Sequence, residues 1–322
     1  MIDRMSVERW IRYDVQHPAP TFFARPAWAL ALSKAYPNMQ PSPLRVQVHG
    51  ERPAIVPLMQ MNGGALRWRE FCGFPLGGYT CFLYDDGTIP DEIRANHVVA
   101  ELTRFADAAT IIPWPLGTVP TMHHEGAAHE TAVVDLREGI EHALAGVDGT
   151  FRRMAGQAER RGVVCAPSHD ADAVDTYYEL LESSAKRWGL ERPGIPKALI
   201  AALVEYGGND VEIWFARAEG RAIGGGIVFY GSQEFFFWSA AMDAQYGRLR
   251  PSNALNFALM RAAAERGMSW YNLGSSEGLP GVAHFKKDLG AQAVSYSEIS
   301  LARTPFKLYR NVRRVIAARA TA

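Results

Sequence analysis

Cysteine is scarce in this chain of 322 residues: Cys72, Cys81 and Cys165 are the only three, and no two form a CxxC pair. That excludes a disulfide framework and a cysteine-built zinc site, and it makes a reducing compartment the expected setting. Neither sign of charge is in excess, since 34 Lys and Arg stand against 34 Asp and Glu. A generally basic DNA-binding surface and an acidic solvating tail are both excluded by that balance. No apolar run reaches the roughly 18 residues that a membrane-spanning helix requires. The stretch Met1-Ile-Asp-Arg-Met-Ser-Val-Glu-Arg-Trp10 is charged early and lacks the apolar centre of a secretory signal. No Gly-, Ser- or Pro-rich linker divides the chain. What is present is ordinary globular composition, 48% hydrophobic and 21% charged, at a length suited to two closely packed domains. A cytoplasmic protein is expected.

A faint internal repeat is the first positive signal. Val46 to Met59 reads as strand, turn at Gly50, strand; Ile213 to Phe229 reads the same way around Gly220. Each copy carries an Ala-Ile pair (Ala54-Ile55, Ala222-Ile223), then a polar turn, then an aromatic strand near Trp68 to Phe71 or Phe235 to Trp238. One domain used twice explains this better than a solenoid. Helices are expected over Pro26 to Ala35, from Pro90 to near Ala108, with interruptions over Leu136 to Arg161, over Asp170 to Trp188 and over Pro196 to Tyr206. The best-defined one runs from Ser252, read as its N-cap, to Arg266, with Gly267 as its stop. Its apolar set, Leu255, Phe257, Ala258, Leu259, Ala262 and Ala263, is broad enough to pack on a sheet. The second half therefore reads helix, helix, three antiparallel strands, helix, strand, loop, strand.

Three stretches carry a family resemblance. Phe151-Arg-Arg-Met-Ala-Gly-Gln-Ala-Glu-Arg-Arg-Gly-Val163 is a basic helix running into a strand. Asp243-Ala-Gln-Tyr-Gly-Arg-Leu-Arg-Pro-Ser-Asn-Ala-Leu255 enters the long helix. Trp270-Tyr-Asn-Leu-Gly-Ser-Ser-Glu-Gly278 is followed by His284-Phe-Lys-Lys-Asp-Leu-Gly290. Together they resemble the N-acyltransferase superfamily called GNAT, over roughly residues 135–300, and within it the two-domain Fem-type (FemAB-like) branch and its acyl-CoA-dependent relatives. The resemblance implies an α/β (α+β) fold of tandem GNAT-like domains, with mixed, mostly antiparallel sheets flanked by helices. The expected boundaries are 1–135, 136–302 and a basic amphipathic helix over 303–322. It implies an N-acetyltransferase or N-acyltransferase moving a group other than an aminoacyl group. The donor would be acetyl-CoA or another acyl-CoA, and the acceptor an amine of a sugar, peptide or cell-envelope precursor. One departure stands out: Pro251 and Asn253 occupy positions where acyl-CoA enzymes carry glycines that let backbone N–H groups reach the pyrophosphate. That keeps two alternatives open. One is a Fem-type aminoacyl-tRNA-dependent aminoacyltransferase acting on a peptidoglycan precursor, with tRNA not favoured because the net charge is zero. The other is a non-catalytic GNAT-like scaffold in polysaccharide biosynthesis or export.

Acyl transfer to an amine needs a bound donor and charge stabilisation at the tetrahedral carbonyl oxygen. By resemblance, Lys286 fills the electrostatic role, from a loop after a strand, while Glu277 and Asp243 are the nearest acids for a general base. Arg248, Arg250, Ser252 and Asn253 at the helix entry would meet the donor. Tyr271, Asn272, Ser275 and Ser276 sit at a strand end and its exit, where open sheets bind ligands. Trp188, His284 and Tyr79, the last beside Gly77 and Gly78, complete the expected substrate contacts, each against a plain packing or turn alternative. His123-His-Glu-Gly-Ala-Ala-His-Glu130 lacks the HExxH spacing, so no metal is expected. Arg152, Arg153, Arg160 and Arg161 read as a solvated helix face. The segment 303–322 has six basic residues and no acid, with Leu308, Tyr309, Val312, Val315 and Ile316 on one face. That face is expected to dock on the protein, with peripheral contact at the inner face of a membrane as the other use.

Overall fold

The computed structural model describes residues 1–62, 68–73, 75–120 and 126–320, with side chains described as far as residue 312. The chain folds into two compact units. Unit 1 comprises Met1–Ala19, Phe23–His129 and Tyr296–Ala322; unit 2 comprises Pro20–Phe22 and Glu130–Ser295.

Unit 1 begins with β1 (Ile2–Arg4), α1 (Val7–Gln16) and α2 (Pro26–Ala35). Then come β2 (Met39–Pro41), β3 (Leu44–Val46), β4 (Ala54–Val56), β5 (Met59–Met61), β6 (Glu70–Cys72), β7 (Leu83–Tyr84), α3 (Glu92–Phe105) and β8 (Ala108–Ile111). Local chemistry sets the helix starts: Ser6 caps α1 by accepting from Arg9 N–H, Asp91 caps α3 by accepting from Arg94 N–H, and Pro26 occupies the first turn of α2.

The chain continues through β9 (Ala128–Asp135), α4 (Ile140–Ala145), α5 (Gly149–Arg160), β10 (Val164–Ser168), α6 (Ala173–Arg187) and α7 (Lys197–Gly207). The hairpin strands β11 (Val211–Ala218) and β12 (Arg221–Tyr230) follow, then β13 (Glu234–Met242), α8 (Pro251–Glu265), β14 (Trp270–Asn272), α9 (Pro280–Asp288) and β15 (Gln292–Ser297). The chain ends through β16 (Ile299–Ala302) and α10 (Thr304–Ala320).

The repeat expected from the sequence is present as topology. In unit 2, β12 pairs antiparallel with β13, β13 pairs parallel with β14, and α8 connects that parallel pair. In unit 1, β5 pairs antiparallel with β6, β6 pairs parallel with β8, and the connection includes α3. The sheets run β1-β3-β4-β7 and β16-β8-β6-β5-β2 in one case and β10-β11-β12-β13-β14-β9-β15 in the other. This is the mixed, mostly antiparallel α/β architecture expected.

α8 lies on the seven-stranded sheet through Leu255, Leu259 and Ala263, each four residues from the last and all buried with Phe235, Tyr271 and Phe151. A fully buried Leu of this kind contributes about 1.5–3 kcal/mol. Two local expectations are corrected. Ser252 is not the N-cap: Arg250 is, in the left-handed conformation (φ 60°), with Pro251 in the first helical turn. The stretch expected as a loop after β14 is the helix α9, entered at Pro280. Pro at a first helical position costs no hydrogen bond, so Pro280-Gly281 opens a helix there rather than breaking one.

β12 carries Gly224, Gly225 and Gly226 in a row. A Cβ on Gly226 would sit 2.0 Å from the Phe237 ring and 2.9 Å from the Ser239 carbonyl. Gly226→Ala should therefore lower stability by about 1–3 kcal/mol, read as a lower urea midpoint at unchanged m-value.

Candidate functional site

The parallel pairing of β13 with β14 covers only Glu234–Phe236 against Trp270–Asn272, yet β13 continues to Met242. Two features part the strands. Along β12 the register slips so that Ile227 faces Ser239 and Val228 faces Phe237, leaving Trp238 as the extra residue of a bulge that increases local twist. After β14 the chain turns away at Gly274, in the left-handed region at φ 70°. A cavity of about 480 Å³ opens beside this fork. Its wall is largely apolar: Phe237, Trp238, Met242, Leu255, Leu273 and Phe285. Ser184, Arg187, Asn256 and Lys286 supply polar groups, and among the described residues no carboxylate lines it. A larger groove of about 720 Å³ near α4 and the end of α8 is lined by Arg137, Glu141, Arg261 and Glu265, with none of the residues selected from sequence.

Lys286 is the central polar group. It stands on α9, not in a loop, and it is buried at 8% exposure. Its Nζ donates to the Gly274 carbonyl at 2.9 Å and the Ser275 carbonyl at 2.7 Å. Burial lowers its pKa to about 8, against the opposing pull of Glu277 and Glu130. Its place in the last turn of α9 also favours a cation.

Beneath it, two buried hydrogen-bond chains hold the strand end. Asn272 Nδ2 donates to Glu234 Oε1 at 2.7 Å, while its Oδ1 accepts from Thr131 Oγ1 at 2.6 Å and from Gly274 N–H at 2.9 Å. Tyr271 donates from its hydroxyl to Asn256 Oδ1 at 2.9 Å, and Asn256 Nδ2 donates to the Ser252 carbonyl at 2.9 Å. Burial raises the Tyr271 pKa well above the phenol range, so it stays a neutral donor. Tyr271 and Asn272 thus support the fork from below and are not among the residues lining the cavity.

The remaining selected residues divide. Ser252 lines the cavity, with its hydroxyl 3.4 Å from Met242 Sδ, and Trp188 lines it from the C-cap of α6 with the Arg187 guanidinium over its ring. Ser275 gives its carbonyl to Lys286 and accepts from Glu277 N–H through its hydroxyl; Ser276 accepts from Leu279 N–H through its carbonyl. Glu277 is exposed at φ 49° and does not line the cavity. Asp243 caps the turn Ala244–Leu249 through Gln245 N–H and pairs with Arg221 at 3.3 Å, so its carboxylate is engaged away from the cavity lining. Asn253 is buried in the first turn of α8 off that lining, and Arg248 and Arg250 are exposed, with Arg161 donating to the Arg248 carbonyl at 2.7 Å. His284 is exposed and faces Asp288 at 3.5 Å. Tyr79 belongs to unit 1, buried edge-on against Phe23 and Tyr296.

Asn256, Ser184 and Arg187 escaped the sequence reading. Asn256 was visible in principle, as a polar residue one turn after Ser252 on a helix whose other faces pack. Ser184 and Arg187 are tied to the Met242 carbonyl, an encounter between α6 and the end of β13 that no local pattern encodes. Burial pushes the Cys72 and Cys165 thiols up to about 12, which argues against either as a nucleophile. His123 and His124 lie outside the described residues. His129 stacks on Tyr296, and no three His, Cys, Asp or Glu side chains among the described residues converge to hold a metal.

Residues 147–287 match the family model described as an acetyltransferase (GNAT) domain. Over the whole chain the structure is similar to that of FemX, at TM-score 0.71 and 12% identity, covering 97% of this chain and 99% of FemX. It is also similar to the C-terminal domain (DUF2156) of a putative lysylphosphatidylglycerol synthetase from Agrobacterium fabrum, at TM-score 0.58 and 13% identity over 96% of each chain. A conserved protein of unknown function from Bacteroides thetaiotaomicron follows at TM-score 0.60 and 9% identity, over 94% of this chain and all of the other. No curated protein matches the sequence. The fold over the whole chain is thus that of FemX, and residues 147–287 within it match the GNAT acetyltransferase domain. One expectation is overturned: FemX and the lysylphosphatidylglycerol synthetase-like domain are aminoacyltransferases, which points away from a transferred group other than aminoacyl.

The Lys286 geometry has a thermodynamic consequence. Its folded pKa, about 8, lies below the ordinary 10.5, so above pH 8 the unfolded chain binds more protons than the folded one. Stability from this group therefore rises with pH from about 8 toward 10. The difference in unfolding free energy between wild type and Lys286→Met, followed by urea titration across that window, should show this rise.

Proposed function

We propose that this chain is an aminoacyltransferase of the cell envelope, moving the aminoacyl group of an aminoacyl-tRNA onto an amine of a peptide or sugar precursor. The observation that carries this reading is a buried ammonium, Lys286, on the wall of the fork cavity in a fold shared end to end with FemX. The entry to α8 supports a donor other than a CoA thioester. Arg250 is left-handed, Pro251 has no N–H and Asn253 is buried, so the glycine cradle for a pyrophosphate is not built. Exposed Arg248 and Arg250 suit the phosphates of an RNA end instead.

In this reading the acceptor amine attacks as the free base. A C–N bond forms at the aminoacyl carbonyl, the ester C–O bond to the terminal ribose breaks, and the proton of the amine passes to the departing ribose oxygen. No acid among the described residues lines the cavity, so attack is direct and without a side-chain base from its wall. The Gly274 and Ser275 carbonyls take two of the three Nζ–H bonds and fix the ammonium in place. The third serves the tetrahedral oxyanion. Trp188 and Arg187 at the end of α6 flank the acceptor side of the same cavity.

Labelled aminoacyl-tRNA incubated with protein and envelope-precursor amines should yield a labelled product, and acetyl-CoA should not replace it. Lys286→Ala should lower kcat by about 100-fold or more while leaving the fold intact. Wild-type kcat should fall as pH rises through about 8, where the ammonium is lost. Turnover with acetyl-CoA and none with aminoacyl-tRNA would overturn the proposal, and an unchanged kcat for Lys286→Ala would remove that residue from the mechanism.

A further inference from the structure

Among its described side chains, α10 holds to the rest of unit 1 through Phe306 and Tyr309. Phe306 is buried, and Trp68 meets the Phe306 ring edge-on at 5.6 Å and the Tyr309 ring at 5.5 Å. Arg303, just before the helix, donates its N–H to the Asp107 carbonyl at 2.9 Å. Of the apolar stripe expected to dock, Tyr309 packs on Trp68, whereas Leu308 is 62% exposed and Val312, one turn on, is 58% exposed.

The charge around this stripe is of one sign. Arg303, Lys307, Arg310, Arg313, Arg314 and Arg319 are the only charged residues from 303 to the end. Between α10 and β16 lies a cleft of about 280 Å³ lined by Ser300, Ala302, Lys307, Arg310 and Asn311. No acid lines it, and neither Lys307 nor Arg310 has a carboxylate partner among the described residues. Large apolar side chains left in water beside unpaired cations are costly for a free surface and suited to an anionic interface. α10 is too short and too basic to span a bilayer, and no helix among the described residues meets the length and apolarity needed to do so.

We propose that α10 lies on the surface of an anionic phospholipid bilayer. Leu308 and Val312 enter the boundary between headgroups and acyl chains, while Lys307 and Arg310 meet headgroup phosphates from the flank. The attachment is peripheral and independent of the reaction assigned to unit 2.

Full-length protein should co-sediment with vesicles containing phosphatidylglycerol at low salt, and much less with pure phosphatidylcholine vesicles. Raising the salt should release it. Leu308→Asp with Val312→Asp, at two exposed positions that leave Phe306 in place, should weaken binding about tenfold or more at unchanged circular dichroism. Lys307→Glu with Arg310→Glu should do the same and also remove the lipid preference. Failure to sediment with anionic vesicles at low salt would overturn the proposal, as would undiminished binding of the Leu308/Val312 variant. Self-association of the wild type that the same variant abolishes, without vesicle binding, would assign the stripe to a second copy instead.

Discussion

Parting two paired strands inside a sheet leaves backbone groups without their ladder partners, and the site of unit 2 is built on how that deficit is met. Beyond Phe236 and Asn272, β13 and β14 no longer pair. The exit from β14 finds other partners: Leu273 N–H donates to the Ala132 carbonyl, and the Gly274 carbonyl accepts from Ala132 N–H and from Lys286. Lys286 bonds the Ser275 carbonyl as well. A buried ammonium is therefore part of what keeps the fork open, and the same ammonium stands on the cavity wall. In the reaction proposed above, structure and chemistry share one group, because a backbone carbonyl outside the β13–β14 ladder and a developing oxyanion both call for a donor.

The polar groups beneath the fork work as supports. Thr131, Asn272 and Glu234 are buried and hydrogen-bonded in sequence, and Tyr271, Asn256 and the Ser252 carbonyl form a second chain into the first turn of α8. Such networks stabilise only when their members are paired, and in return they fix one geometry. Together they join β9, β14 and α8 around the cavity. Tyr271 and Asn272, which sequence position alone suggested as ligand contacts, hold the frame instead.

Unit 1 repeats the strand logic without these polar groups at the corresponding strand. β6 and β8 run parallel as β13 and β14 do, but β8 reads Ala108-Ala-Thr-Ile111 where β14 reads Trp270-Tyr-Asn. The repeat seen in the sequence as two Gly-turn hairpins was the visible part of this duplication. Short strands such as Glu70–Cys72 and Leu83–Tyr84 carry too few residues for an alternating pattern to register.

Periodicity and punctuation were enough to read the duplicated hairpins, the apolar face of α8 and the order of elements from α6 to β14, since each depends on neighbours within a few residues. The Phe285-Lys286 position was legible through its resemblance, though its helix was not, because Pro280-Gly281 reads as a break unless the helix starts there. Which side of each residue faces the cavity was decided elsewhere. Asp243 is taken by Arg221 from a neighbouring strand, Asn256 is turned to Tyr271, and Ser184 and Arg187 reach Met242 across more than fifty residues of chain. Local sequence determined the elements because helix and strand are local hydrogen-bond patterns. The tertiary structure alone decided the site, because a cavity exists only where distant elements stop touching.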